Sequence, residues 1–146
     1  MPAPEFINPS DDQIRAILST PATVAVVGCS DRPVRDSFGI AKLLRQKGFR
    51  VIPVNPTLSA GALIEALGER CYPDLLSIPD PIEMVDVFRQ PGHLPEIVDQ
   101  AIRKGARILW CQLGVVNLEA AHTAQAAGMT VVMDRCPAIE YRRLFG

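Results

Sequence analysis

One phrase occurs three times in this chain and constrains its fold more than anything else in it. A helix-compatible stretch ends at glycine, and a β-rich run starts within two residues: QKGFRVIPV, RKGARILWC and AAGMTVVMD. Gly48, Gly105 and Gly128 stand where a helix must stop, because glycine takes a left-handed backbone conformation without a Cβ clash. The runs 51–54, 108–111 and 131–133 are too short for helices and read as strands buried on both faces. Runs 24–27 and 84–88 add two more of the same kind. Strand alternating with helix specifies parallel βαβ units with right-handed crossovers. The expectation is an α/β fold: a doubly wound sheet of about five parallel strands in three αβα layers.

The helices fit this scheme. Ser10 can cap a first helix carrying Ile14, Ile17 and Leu18, expected to pack across the sheet. Ser37 can cap a second whose Phe38, Ile40, Ala41, Leu43 and Leu44 form a broad apolar face. Residues 93–104 space Leu94, Ile97, Val98, Ala101 and Ile102 helically, with Pro95 tolerated in the first turn, and Asn117 can cap 118–127. Residues 55–83, broken by Pro56, Gly61, Gly68, Pro73, Pro79 and Pro81, are expected to hold one or two short helices among loops. With no linker or low-complexity tract, residues 1–146 read as one domain, the first nine an extended segment.

Composition narrows the function classes. Fifteen Lys+Arg against 16 Asp+Glu leave no global basic field, so a dedicated nucleic-acid binder is not expected. A 48% hydrophobic fraction excludes a disordered chain. No apolar run reaches the roughly 18 residues of a membrane span. The start MPAPEFINPS has neither the basic nor the apolar region of a signal peptide, and a cytoplasmic location without membrane partners is expected. Cys29, Cys71, Cys111 and Cys136 form no C-x-x-C pair and read as reduced thiols, while two distant histidines make no metal site.

In an open parallel sheet the ligand crevice lies beyond the carboxyl ends of the strands. Those ends are Gly28-Cys29-Ser30-Asp31-Arg32-Pro33, Asn55-Pro56, Phe88-Arg89-Gln90-Pro91-Gly92, Cys111-Gln112-Leu113-Gly114 and Asp134-Arg135-Cys136-Pro137. Turns explain the glycines and prolines; they do not require the long donor side chains of Arg89, Gln112 and Arg135. The first loop lacks the second and third glycines of the dinucleotide fingerprint, and Asn55-Pro56 stands where a ribose-binding acid belongs. NAD is therefore disfavoured. The helix start at Ser37–Phe38 still offers an anion site, approached past Gly28 and Ser30, with Arg32, Arg35 and Arg89 to supply positive charge. The chemistry asked for is a phosphorylated nucleotide other than a classical dinucleotide.

VVGCSDRP, VIPVNP, VDVFR, LWCQLGV and VVMDRCPAIE, in this order and spacing, resemble the small stand-alone coenzyme A-binding proteins over about residues 10–146. The resemblance implies a Rossmann-like fold, related to the coenzyme A-binding domain of the succinyl-CoA synthetase alpha subunit. It implies coenzyme A or an acyl-CoA as cofactor, its phosphates over the Gly28–Ser30 loop and the following helix start. By the same resemblance Asn55-Pro56, Phe88-Arg89 and Gln112-Leu113-Gly114 line the adenosine and pantetheine path. Residues 57–68 match the family poorly. Larger synthetases add a domain bearing a phosphohistidine, and neither His93 nor His122 sits in such a motif. The expectation is a non-catalytic binder rather than an enzyme.

Alternatives stay open: an NAD-type redox protein, or a subunit docking onto a separate ligase or acyltransferase, with a homodimer also compatible. Cys29, Cys111 and Cys136 all follow strands, and a thiol beside a helix N-terminus would be acidic enough to exchange with a coenzyme A disulfide. The plainer reading is that these cysteines pack at strand ends. Asp134 and Arg135 read as a salt bridge holding the last loop, Glu140 as a helix-face residue pairing with Arg143, and Trp110 as core or interface.

Overall fold

The computed structural model describes residues 5–146. The part of the expected N-terminal segment at residues 1–4 lies outside that range, and residues 5–10 carry neither helix nor strand. In chain order the elements are α1 (Asp11–Ser19), β1 (Thr23–Val27), α2 (Asp36–Gln46), β2 (Arg50–Val54), β3 (Leu63–Ile64), β4 (Glu69–Arg70), β5 (Met84–Val87), α3 (Leu94–Arg103), β6 (Ile108–Cys111), α4 (Leu118–Ala126), β7 (Thr130–Val132) and α5 (Pro137–Phe145). Five strands form one parallel sheet in the order β2-β1-β5-β6-β7. The chain winds first toward one edge and then, after β2, toward the other, so the topological switch point lies between β1 and β5.

Alternate residues of each strand face opposite layers. Val24, Val26, Met84, Trp110 and Val132 meet Ile14, Leu18, Phe38, Ile40 and Leu44, which places α1, α2 and α5 on one face. Ala25, Ile52, Val85, Leu109 and Val131 meet Leu94, Ile97, Val98 and Ala124 of α3 and α4 on the other. The expected αβα layering is therefore present. Gly48, Gly105 and Gly128 end their helices at φ +98°, +76° and +92°.

Ser10 caps α1 with a reciprocal box, its hydroxyl accepting from the Gln13 amide while the Gln13 side chain accepts from Ser10 N. Asn117 caps α4 through Ala120 N at 3.0 Å. Ser37 does not cap α2. That helix begins one residue earlier, at Asp36, and has no side-chain cap. Residues 55–83 hold no helix; instead β3 and β4 pair antiparallel. Here the prolines and glycines enforce turns, and Tyr72 adds a parallel bridge beside Val54 at the β2 edge. Tyr72 N donates to Pro53 O at 3.0 Å and Asn55 N to Tyr72 O at 2.9 Å. At the other edge the Asn8 side chain accepts from Met133 N at 2.8 Å and donates to Met133 O at 3.0 Å.

The last loop also differs from expectation. Asp134 is the one non-glycine at positive φ among the described residues (+59°), and its carboxylate accepts from Gly114 N at 2.8 Å rather than pairing with Arg135. Arg135 and Arg143 both pair with Glu140, which is only 2% exposed, and Arg143 also grips Asp11. Trp110 is core, its Nε1 donating to Arg135 O at 2.9 Å. No helix among the described residues is long and apolar enough to cross a membrane.

Candidate functional site

Beyond the switch point β1 ends in a tight turn. Gly28 N and Cys29 N both donate to Val54 O, at 2.7 and 3.2 Å, which ties this turn to β2. Gly28 has φ +87°, and a Cβ there would stand 3.2 Å from the carbonyl carbon and oxygen of Phe88. Glycine is thus required both by the backbone and by the close approach of β5. Asn55 braces the turn from β2, donating to Cys29 O at 3.1 Å and accepting from Thr57 N and Oγ1. Both ends of its side-chain amide thus bond within the protein.

Ser37 has a different task from the one expected. Its hydroxyl accepts from Ser30 N at 2.9 Å, and Ser30 Oγ in turn accepts from Arg32 N at 3.0 Å. The loop is folded against the first turn of α2, while the helix start remains uncapped. Gly39 N makes the first helical bond, to Arg35 O, so the amides of residues 36–38 precede the ladder. Asp36 and Ser37 border a cleft of about 830 Å³ lined also by Gly28, Ser30, Arg32, Arg35, Asn55, Thr57, Leu58 and Phe88, with Asp31 also on its wall. Helix-end amides and two guanidinium groups together favour an anion there, and the two carboxylates temper that field.

A second cleft, of about 510 Å³, shares Val34, Arg35, Asp36 and Phe88 with the first and continues past the α2 start to Gln112, Leu113, Cys136 and Ala138. Its walls are mostly apolar, through Pro33, Val34, Ile40, Leu43, Phe88, Leu113 and Ala138. Val34 and Leu113 are exposed apolar side chains at its margin. A third cleft, of about 400 Å³, opens between the sheet and α3 and holds Pro56 and Arg89 with Asp74, His93, Glu96 and Gln100.

Gly28, Ser30, Arg32, Ser37, Asn55 and Phe88 are therefore brought together, and Gln112 follows in the adjoining cleft. Pro56 and Arg89 are not with them. The Arg89 stem packs near Gly28, but its guanidinium lies 3.1 Å from His93 Nε2 in the third cleft. Gly114 lines none of the three; its amide is taken by Asp134. Cys29 is 0% exposed and reaches no cleft wall.

The acidic-thiol expectation fails on electrostatics. Burial pushes the Cys29 thiol up to about 12, and Cys71, Asp86 and Asp31 push the same way. Cys111 is likewise raised to about 12 by burial, with Asp86 assisting. Desolvation of the thiolate outweighs the helix end. All four cysteines are free, and Cys136 alone is not buried.

Sequence reasoning missed Asp86. This carboxyl sits in the middle of β5 at 0% exposure, accepts from Gln112 Nε2 at 2.6 Å, and leaves Oδ2 without a partner. Burial raises it from 3.8 to about 7, against the opposing bond from Gln112. The available signal was an acid inside the otherwise apolar run MVDVF.

A family model described as a CoA binding domain matches residues 22–142. The uncharacterized protein YneT of Bacillus subtilis (strain 168) is 40% identical over 129 residues, covering 88% of this chain and 92% of that one. The ADP-forming acetate–CoA ligase II of Archaeoglobus fulgidus is 34% identical over 89 residues, which are 60% of this chain but 12% of the ligase. Among solved structures, a hypothetical protein from Pyrococcus horikoshii OT3 has a TM-score of 0.86 at 40% identity, covering 99% of this chain and 100% of that one. Matched over most of its length by the family model and by relatives of its own size, the chain belongs to the CoA-binding domain family.

Proposed function

We propose that this chain binds coenzyme A, free or as an acyl thioester, at the carboxyl rim of its sheet, and that it does not by itself transform the ligand. The observation that carries this reading is the larger cleft. In a chain of this family, uncapped α2 amides, Arg32, Arg35 and the Gly28 turn converge at the switch point between β1 and β5. In this reading the diphosphate rests over residues 28–30 and the helix start. The adenosine lies toward Asn55, Thr57 and Leu58, and the pantetheine arm passes Phe88 toward Gln112. The burial that holds Cys29 and Cys111 protonated argues against thiol chemistry at those two positions. The engaged Asn55 side chain, in the place of a ribose-binding acid, argues against NAD.

The ligase relative favours a second reading, in which the chain holds coenzyme A for a separate acyl-CoA-using enzyme. Both readings share the binding step. Titration calorimetry with coenzyme A, 3′-dephospho-coenzyme A and NAD tests it: coenzyme A binds and NAD does not. Arg32→Ala weakens coenzyme A by roughly tenfold, the value of one charge-assisted phosphate contact. Absence of heat with millimolar coenzyme A would refute the proposal. Equal affinities for coenzyme A and its 3′-dephospho form would remove the arginines from recognition of the 3′-phosphate. A large acyl-CoA-using chain retained through mild purification would favour the second reading.

A further inference from the structure

Burying a carboxyl in the centre of a parallel sheet is costly, and among the described residues no cation pairs with Asp86 to offset it. The polar groups near it include the Gln112 amide just past β6 and the thiols of Cys29 and Cys111. Its one bond is the 2.6 Å contact from Gln112 Nε2 to Oδ1. That contact turns the Nε2 end of the Gln112 amide inward. An ionised carboxylate only accepts and so must take the amide N–H, and a neutral one keeps that arrangement with its proton on the unpartnered Oδ2. Gln112 is 5% exposed, yet it lines the apolar cleft beside Phe88 and Leu113. With Nε2 turned inward, Oε1 has no partner among the described residues and is not sealed from solvent. Oε1 is thus the free polar atom of Gln112 beside these apolar walls.

We infer that Asp86 is a positioning residue that locks Gln112 as a hydrogen-bond acceptor, making the apolar cleft selective for a neutral chain that carries an amide N–H. This rests on the coenzyme A reading and deepens it, because a pantetheine arm has that chemistry: apolar segments separated by secondary amides. The two clefts then divide the ligand, anion recognition in one and arm recognition in the other.

Calorimetry with two ligands separates the parts: coenzyme A, and 3′-phosphoadenosine 5′-diphosphate, which keeps the phosphates and lacks the arm. Asp86→Val frees the Gln112 amide to turn. It is expected to weaken coenzyme A by roughly 5- to 10-fold, the worth of one hydrogen bond, and to leave the armless ligand within twofold. Gln112→Met, which keeps the length of the side chain and removes its acceptor, reproduces the loss seen with Asp86→Val and likewise spares the armless ligand. Thermal melts establish that each variant folds, with Asp86→Ala as the second variant should valine not be accommodated. Equal weakening of both ligands, or of neither, overturns the role of Asp86, as does Gln112→Met leaving coenzyme A affinity unchanged. Wild-type protein that binds neither ligand overturns the coenzyme A reading and this inference with it.

Discussion

Substituting Asp86 by asparagine is expected to change the pH dependence of stability in a defined direction. Burial raises this carboxyl from 3.8 to about 7. Between those values the folded chain keeps a proton that the unfolded chain has released. Wild-type stability therefore falls as pH rises through the window, by up to about 1.4 kcal/mol per pH unit. The full excursion is worth roughly 4 kcal/mol, a large share of the 5–15 kcal/mol typical of a domain. The asparagine side chain cannot ionise and keeps an acceptor for Gln112, so the variant lacks this loss. Paired urea melts at about pH 5, 6, 7 and 8 read the effect as a difference, in which titration of distant groups cancels. The variant is expected to gain on wild type by roughly 3 kcal/mol across that range and then level off. A difference that stays constant from about pH 5 to 8 would show that Asp86 does not titrate there, and the account of its burial would be wrong.

Other substitutions and probes report on separate parts of the molecule. Of the four thiols, about one is expected to react with Ellman's reagent in native protein, at Cys136, and all four after unfolding; prompt labelling of Cys29 would contradict its burial. Gly28→Ala is expected to cost about 1–3 kcal/mol, because φ +87° and a 3.2 Å approach to Phe88 both oppose a methyl group, and a lowered Tm measures it. Glu140→Gln removes the buried charge that holds Arg135 and Arg143. The expected loss is about 1–2 kcal/mol in urea melts, moderated by the half-exposed arginines.

The features legible in the sequence were those that local chemistry controls. Glycines 48, 105 and 128 mark helix ends because no other residue tolerates that backbone turn as readily, and the strands after them are short apolar runs. Ser10 and Asn117 cap their helices because capping is decided within four residues. Ser37 departs from the same rule because a residue seven positions away, Ser30, claims its hydroxyl. The β3–β4 pair was hidden because two-residue strands carry no periodicity. At the rim, sequence order shows which loops follow the strand ends but not the sheet face onto which each side chain turns. Phe88 and Arg89 are neighbours, yet one lines the α2-side clefts and the other meets His93 beside α3. Cys29 showed the same limit in electrostatics: proximity to a helix end is visible in the sequence, and complete desolvation is not.

The contacts made by Asn8 and Tyr72 bear on how copies of this chain can meet. An open parallel sheet ends in two strands whose outward peptide groups invite another extended chain. Here β7 is only three residues long, and just beyond it the Asn8 amide occupies Met133 N and O as a neighbouring peptide would. On the opposite flank Pro53 has no N–H to give, and Tyr72 already bonds to its carbonyl. An incoming strand would first have to displace bonds the chain makes to itself. Cross-β growth from the native state is thus discouraged at both flanks, and removing the Asn8 clamp would leave the β7 flank with less protection against it.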